Sequence, residues 1–169
     1  MNALKKTAAF LLIGVMSAAL ATGAMAQEKA KDIAVGNWKL VKSFGTNADG
    51  TTRPGFGGVP TGILILSKDG YFSNISMRAD LPSFKSGNRM EGTAEENAAV
   101  AAGSISTYGR YTVSDDGKKL TFKILGSTWK DWVGITQDRE LSVTKDKLEY
   151  VTKSSVSGTT TMSFERFSE

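Results

Sequence analysis

Thr61–Met77 reads TGILILSKDGYFSNISM: two runs rich in β-branched and aromatic residues, joined by Lys68-Asp69-Gly70. Asp-Gly between such runs is a strong hairpin signal, because glycine supplies the positive φ that a tight two-strand turn requires. The same grammar extends in both directions. Upstream, Asn37–Phe44 (NWKLVKSF) alternates, which puts Trp38, Leu40 and Phe44 on one side, and Gly55-Phe56-Gly57-Gly58 with Pro60 interrupts the pattern. Downstream, Ser104–Val113 and Leu120–Leu125 flank Ser114-Asp115-Asp116-Gly117, and Gln137–Val143 and Leu148–Thr152 flank Lys145-Asp146. Ser157-Gly158 leads into a last run, Thr159–Phe167. Eight strands joined mostly by short turns predict an all-β, up-and-down antiparallel sheet, and closure into a barrel removes its exposed edges. One short helix interrupts the series. Thr93 followed by Glu96 is a capping box, an alanine-rich segment follows, and Gly103 ends it, so Thr93–Ala102 is predicted helical. That helix either lids one mouth of the barrel or plugs its surface.

The first residues read as something other than the fold. Lys5 and Lys6 precede an apolar stretch from Thr7 to Leu20, and Ala24-Met25-Ala26 matches a small-x-small cleavage site. The expectation is a signal peptide over residues 1–26, cleaved after Ala26, with 27–35 as an extension and 36–169 as one barrel domain. The apolar stretch is shorter than the roughly 20 residues a membrane helix needs. The mature protein is therefore expected to be periplasmic or secreted, without a membrane span.

Composition narrows the chemistry. Without Lys5 and Lys6 the net charge falls from +4 to +2 with signs interspersed, which is no nucleic-acid footprint. The chain contains no His and no Cys. That excludes Ser-His-Asp triads, thiol nucleophiles, Cys/His zinc sites, His-ligated haem and disulfides. Asp115-Asp116-Gly117 reads first as a turn, not as a metal loop; no metal and no cofactor is predicted, and no catalytic motif is evident. An outer-membrane barrel needs strands of about 9–11 residues with an outward apolar band. Here most runs are shorter, and Lys39, Lys42 and Lys123 interrupt both faces.

Gly36-Asn37-Trp38 opens the first strand with the Gly-x-Trp pattern of the lipocalin (calycin-type) superfamily, and Arg166 lies on the last strand. Further blocks follow in order: Arg53-Pro54, Pro60-Thr61-Gly62, Asp69-Gly70-Tyr71, Met77-Arg78, Gly92-Thr93, Glu95-Glu96, Gly109-Arg110-Tyr111, Trp132-Val133-Gly134 and Gln137-x-Arg139. Together they resemble the bacterial lipocalin-like domain family across Gly36 to Arg166. The resemblance implies an eight-stranded barrel with a ligand cavity, and it gives Gly36, Trp38 and Arg166 a barrel-closing role in which the Arg packs over the Trp. Two departures stand out: Phe122-Lys123 occupies a strand where many relatives carry a His, and Lys130-Asp131-Trp132 replaces Pro-Asn-Trp. Chemistry that relies on that His is absent.

Motif-bearing positions supply the candidate ligand contacts. Tyr108 and Arg110 share one strand face, and Thr107, Gly109 and Tyr111 share the other. Gln137 and Arg139 share a face with Leu141 and Val143. If Arg110 or Arg139 points inward, it must meet an acidic side chain or an anionic head group, since an isolated interior charge is costly. Otherwise both sit at strand ends in solvent. Trp129 and Trp132 form an aromatic rim or anchor their loop, with Met77, Arg78 and Phe84 as further rim candidates. The leading reading is an exported binding protein for a small hydrophobic or amphipathic molecule. The alternatives are a filled barrel that docks an envelope protein, and a cavity enzyme for isomerisation or cyclisation using Tyr108, Tyr111 or Glu140.

Overall fold

The computed structural model describes residues 30–154 and 158–167; the expected signal peptide lies outside them. Nine strands follow in order: β1 (Gly36–Thr46), β2 (Thr52–Pro54), β3 (Pro60–Leu66), β4 (Tyr71–Arg78), β5 (Ser104–Val113), β6 (Lys119–Ser127), β7 (Thr136–Val143), β8 (Lys147–Ser154) and β9 (Gly158–Arg166). One helix, α1 (Ala94–Gly103), separates β4 from β5, and a short 3-10 turn, Lys130–Trp132, precedes β7. Every neighbouring pair is antiparallel, and β9 returns to β1, so eight strands close into a barrel while β2 adds to the side of β1. Closure leaves no long unpaired edge among those eight.

Register follows from the turns and from two irregularities. The β3–β4 hairpin turns through Gly70 at φ +84°, and Ser67 and Tyr71 exchange hydrogen bonds across it. Pairing of β1 with β9 shifts between Leu40 and Lys42, which leaves Val41 as an extra residue. Trp38 and Leu40 therefore face the interior before the bulge, and Ser43 and Gly45 after it. This corrects the expectation for Phe44, which lies on the opposite face, beside Lys42 with the ammonium 4.8 Å from its ring centroid. A one-residue insertion inverts every later position of a strand. A second shift, in the β5–β6 pairing, leaves Leu125 unopposed and seats the Tyr108 ring against Gly126, where a Cβ would collide with it. Neither β2 nor the 3-10 turn was legible as an element, since three residues carry no periodicity.

The barrel is packed solid at one end. Ala34, Trp38, Leu40, Leu64, Leu66, Phe72, Leu120, Phe122, Ile124, Leu148, Tyr150, Met162 and Phe164 are all buried there or at mid-height. An aromatic layer crosses the middle: Phe72 lies 4.2 Å from Phe122, Phe122 6.1 Å from Tyr150, and Tyr150 5.4 Å from Phe164, in tilted and edge geometries. Such pairs add about 0.5–1.5 kcal/mol each beyond burial.

Helix α1 begins as its capping box directs. Thr93 Oγ1 accepts from the Glu96 amide, and the Glu96 carboxylate accepts from the Thr93 amide at 2.9 Å and the Lys85 amide at 3.0 Å. The same carboxylate thus caps the helix and pins the loop ahead of it. Gly92 fits between Phe84 and Asn97, where a side chain would collide with both.

Candidate ligand cavity

The half of the barrel away from Trp38 is not filled. A cavity of about 620 Å³ opens there, with Phe56, Ile105, Trp132 and Thr136 in its lining. Its walls carry Asn74 and Ser76 from β4, Gln137 and Arg139 from β7, Tyr150 and Thr152 from β8, and Thr160 and Met162 from β9. These are inward-facing positions, so the strand alternation of a closed barrel selects them. Tyr150 carries the aromatic layer to its floor.

Arg139 lies across that floor. Its guanidinium carbon stands 5.1 Å from the Phe122 ring centroid and 4.7 Å from that of Tyr150. It donates to Thr152 Oγ1 and Gln137 Oε1, while its buried Nε has no acceptor. Burial disfavours its charge and lowers its proton affinity below that of a free guanidinium, with the nearby Tyr150 hydroxyl acting in the other direction. Burial likewise pushes the Tyr150 phenol up, opposed by Arg139. The carboxylates on either side along β7 face outward. Asp138 accepts from Thr121 Oγ1 at 2.6 Å and Lys119 Nζ at 3.3 Å, and Glu140 meets Lys153 Nζ at 2.5 Å.

The mouth is shaped by the chain between β2 and β3. Gly55-Phe56-Gly57-Gly58 turns sharply, and Phe56 itself sits at φ +47°, a left-handed conformation that side chains other than Asn and Asp seldom adopt. That turn carries the Phe56 ring onto the edge of the core, where it lines the cavity, as Trp132 does. Arg78 lies beneath Gly57 and forms a two-pronged pair with Asp80, at 2.8 Å for each bond.

The structure brings Gln137, Arg139 and Trp132 together in the cavity. It places Tyr108 and Arg110 on the outer barrel face: Tyr108 is 57% exposed, and Arg110 stacks 4.2 Å from the Tyr71 ring centroid. Trp129 is equally exposed, and neither it nor Met77 nor Arg78 lines the cavity. The three residues considered for proton transfer also lie elsewhere. Tyr111 donates to Ser67 O at 2.9 Å beside the β3–β4 hairpin, Tyr108 faces out, and Glu140 is paired with Lys153. Helix α1 contributes no residue to the cavity wall.

Phe56, Asn74, Ser76, Ile105, Tyr150, Thr152, Thr160 and Met162 were not singled out from the sequence. Asn74 and Ser76 did carry a signal: both alternate with Phe72, so they are polar residues on a face that begins apolar. Phe56 carried one in its three flanking glycines.

At the other end, Arg166 seals the barrel. Its guanidinium lies 4.0 Å from the Trp38 ring centroid and donates to the carbonyls of Ile33, Val35 and Lys145. Trp38 Nε1 donates to Ala34 O at 2.9 Å, which ties residues 30–35 under the same end. Gly36 lies against Arg166 Nη1, 2.2 Å from where a Cβ would stand. A larger depression of about 1040 Å³ runs outside this end, between residues 31–35 and the turns at Asp69 and Asp116. Charges of both signs line it, and the turn carboxylates are engaged within their own turns, Asp69 with Ser67 and Asp116 with Ser114 and the Lys118 amide. Among the described residues, no cluster of Asp and Glu could hold a metal ion, and no helix is long and apolar enough to cross a membrane.

A barrel sealed at one end by an Arg–Trp stack, with a chamber above a packed aromatic layer, belongs to the class of small antiparallel barrels that enclose space. The lipocalin-like domain profile matches residues 35–166, and the chain belongs to that family. No curated protein matches it. Among solved structures it is similar to a redesigned β-barrel at 15% identity, covering 82% of this chain and 96% of that one with a TM-score of 0.43. It is also similar to a de novo designed fluorescence-activating β-barrel at 15% identity, covering 82% and 97% with a TM-score of 0.40. A third likeness is an uncharacterized protein from Bacteroides eggerthii, at 14% identity, 79% and 98% coverage, and a TM-score of 0.41.

Proposed function

We propose that this protein is an extracytoplasmic carrier or scavenger that holds a small amphipathic molecule in the open half of its barrel. The observation that carries this reading is the cavity of about 620 Å³, which falls within the usual range for small-molecule sites. Its lining mixes apolar side chains, Phe56, Ile105, Trp132 and Met162, with polar ones, Asn74, Ser76, Gln137 and Thr152. A few convergent polar groups in such a lining fix a ligand's orientation, and the apolar groups supply the binding energy. The basic and apolar start of the chain, ending in Ala24-Met25-Ala26, supports an address outside the cytoplasm.

Native mass spectrometry of the protein recovered from the periplasm of an expressing bacterium, before and after solvent extraction, tests this reading. A one-to-one adduct released by extraction supports it and identifies the chemical class. A clean protein mass, together with no binding of either N-phenyl-1-naphthylamine or 8-anilinonaphthalene-1-sulfonate, overturns it in favour of a barrel filled by its own side chains. Recovery of the protein only from the cytoplasm, with its first residues intact, overturns the carrier role outside the cell membrane.

A further inference from the structure

We infer that the cavity takes an organic monoanion, a compact apolar body bearing one carboxylate-type group, with Arg139 as its counter-ion. The inference rests on the cavity being a ligand site, and it adds the ligand's charge and the residue that meets it. A guanidinium stays protonated in proteins, so Arg139 brings a full positive charge into the barrel. An interior charge is costly unless something of opposite sign meets it. Among the described residues, no acidic side chain does. Its side-chain partners are two neutral oxygens, on Thr152 and Gln137, and its Nε has no acceptor. Asp138 and Glu140 are adjacent in sequence, but strand alternation turns them outward, where Lys119 and Lys153 use them.

The geometry around the charge suits an anion. Phe122 and Tyr150 hold the guanidinium from the floor side, which fixes its plane. A planar fork of N–H groups matches the two oxygens of a carboxylate or the oxygens of a sulfonate. Asp138 and Lys153 also border the cavity, but each is paired with a side chain of opposite sign, Asp138 with Lys119 and Lys153 with Glu140, so among the described residues the chamber presents one unbalanced positive charge. Phe56, Trp132, Ile105 and Met162 supply apolar lining to the same chamber. One cation among such side chains selects a monoanion with a compact hydrophobic body.

Two fluorophores of matched skeleton test this on the intact protein: 8-anilinonaphthalene-1-sulfonate and N-phenyl-1-naphthylamine, which lacks only the sulfonate. The wild type should bind the anion one-to-one and at least tenfold more tightly than the neutral probe. Arg139→Gln should weaken the anion at least tenfold while changing the neutral probe less than twofold. Arg139→Lys, which keeps the charge without the fork, should keep part of the preference, and it serves as the readout if the glutamine variant does not fold. Inorganic sulfate at millimolar concentration should not displace the anionic probe. Equal affinity for the two probes, or an unchanged preference in both variants, overturns the anion assignment and leaves the cavity reading standing. Displacement by inorganic sulfate overturns the requirement for an apolar body. If neither probe binds, the cavity reading falls, and this inference with it.

Discussion

The guanidinium of Arg166 lies 4.0 Å from the ring centroid of Trp38, and this stack closes the end of the barrel opposite the cavity. The two residues are direct cross-strand partners on β9 and β1, the strands whose pairing completes the barrel. Arg166 also reaches three backbone carbonyls at Ile33, Val35 and Lys145, so one side chain joins the N-terminal segment, the β7–β8 turn and the first strand. Arg166 and Arg139 thus differ: each of the three nitrogens of Arg166 has an acceptor, whereas Nε of Arg139 has none.

Arg166→Ala should destabilise the protein by about 2–4 kcal/mol, because it removes charge-assisted hydrogen bonds and a cation–π contact together. Urea unfolding followed by tryptophan fluorescence measures this. Arg166→Lys should recover only a minor part, since an ammonium cannot reach the three carbonyls in fork geometry. A loss below 0.5 kcal/mol would remove the closing role.

Gly36→Ala should cost about 1–3 kcal/mol. Gly36 sits at φ +142°, and a Cβ there would stand 2.2 Å from Arg166 Nη1. The cost is therefore partly a collision with Arg166. In the background of Arg166→Ala the same substitution should be cheaper, and a double-mutant cycle should return a clear coupling. Strict additivity would show that backbone strain alone is responsible.

Phe56 tests the mouth of the cavity. Its φ of +47° costs a residue with a Cβ about 1 kcal/mol that glycine does not incur. Phe56→Gly should therefore be at least as stable as Phe56→Ala in a thermal melt, although glycine is the more flexible residue when unfolded. Both variants should weaken N-phenyl-1-naphthylamine severalfold, because both delete the ring from the apolar lining. An alanine variant more stable than the glycine variant would contradict the left-handed conformation.

Arg139→Met should leave the ligand-free protein within about 1 kcal/mol of wild type, or raise its stability. Relief of an unpaired interior charge opposes the loss of two ring contacts and two hydrogen bonds to neutral oxygens. Denaturant melts of the extracted, ligand-free proteins decide it. A loss of 3 kcal/mol or more would make Arg139 a structural residue.

The pH profile should be flat from about pH 5 to 9, because no His or Cys is present to titrate there. The carboxyls of Asp69, Asp116 and Asp138 are held below their ordinary value near 4 by hydrogen bonds from Ser67, Ser114 and Thr121. Folding favours their ionised form, so their contribution is complete above that ordinary value. It is lost as pH falls through the lowered folded values. The phenols of Tyr111 and Tyr150 are raised by burial, so their contribution is complete below about pH 10 and lost as pH rises through the raised folded values. Calorimetric Tm against pH should show a plateau with acid and alkaline falls, and a step between pH 6 and 7 would refute it.

Much of this was written along the chain. The Asp69-Gly70 hairpin, the Thr93–Glu96 capping box and the alternation of Gln137, Arg139 and Leu141 are local signals, because a turn, a cap and a strand face each depend on neighbours a few residues apart. Trp38 and Arg166 could be paired only through resemblance, since their separation in sequence carries no local trace. Phe44 shows where alternation misleads: Val41 adds one residue to β1, and nothing in NWKLVKSF marks it. The bulge exists because β9 pairs on both sides of it, a contact with a strand more than a hundred residues away.

Arg110 and Arg139 sharpen the same division. Each lies in an alternating strand with an aromatic or polar partner two residues away, and strand periodicity alone determined that each shares a face with that partner. It did not determine which face is inside. Only closure of the sheet, with β9 back on β1, defined an interior, turned Arg110 out onto Tyr71 and laid Arg139 across Phe122 and Tyr150. Inside and outside are properties of the closed surface, and no single strand possesses them until the last one pairs.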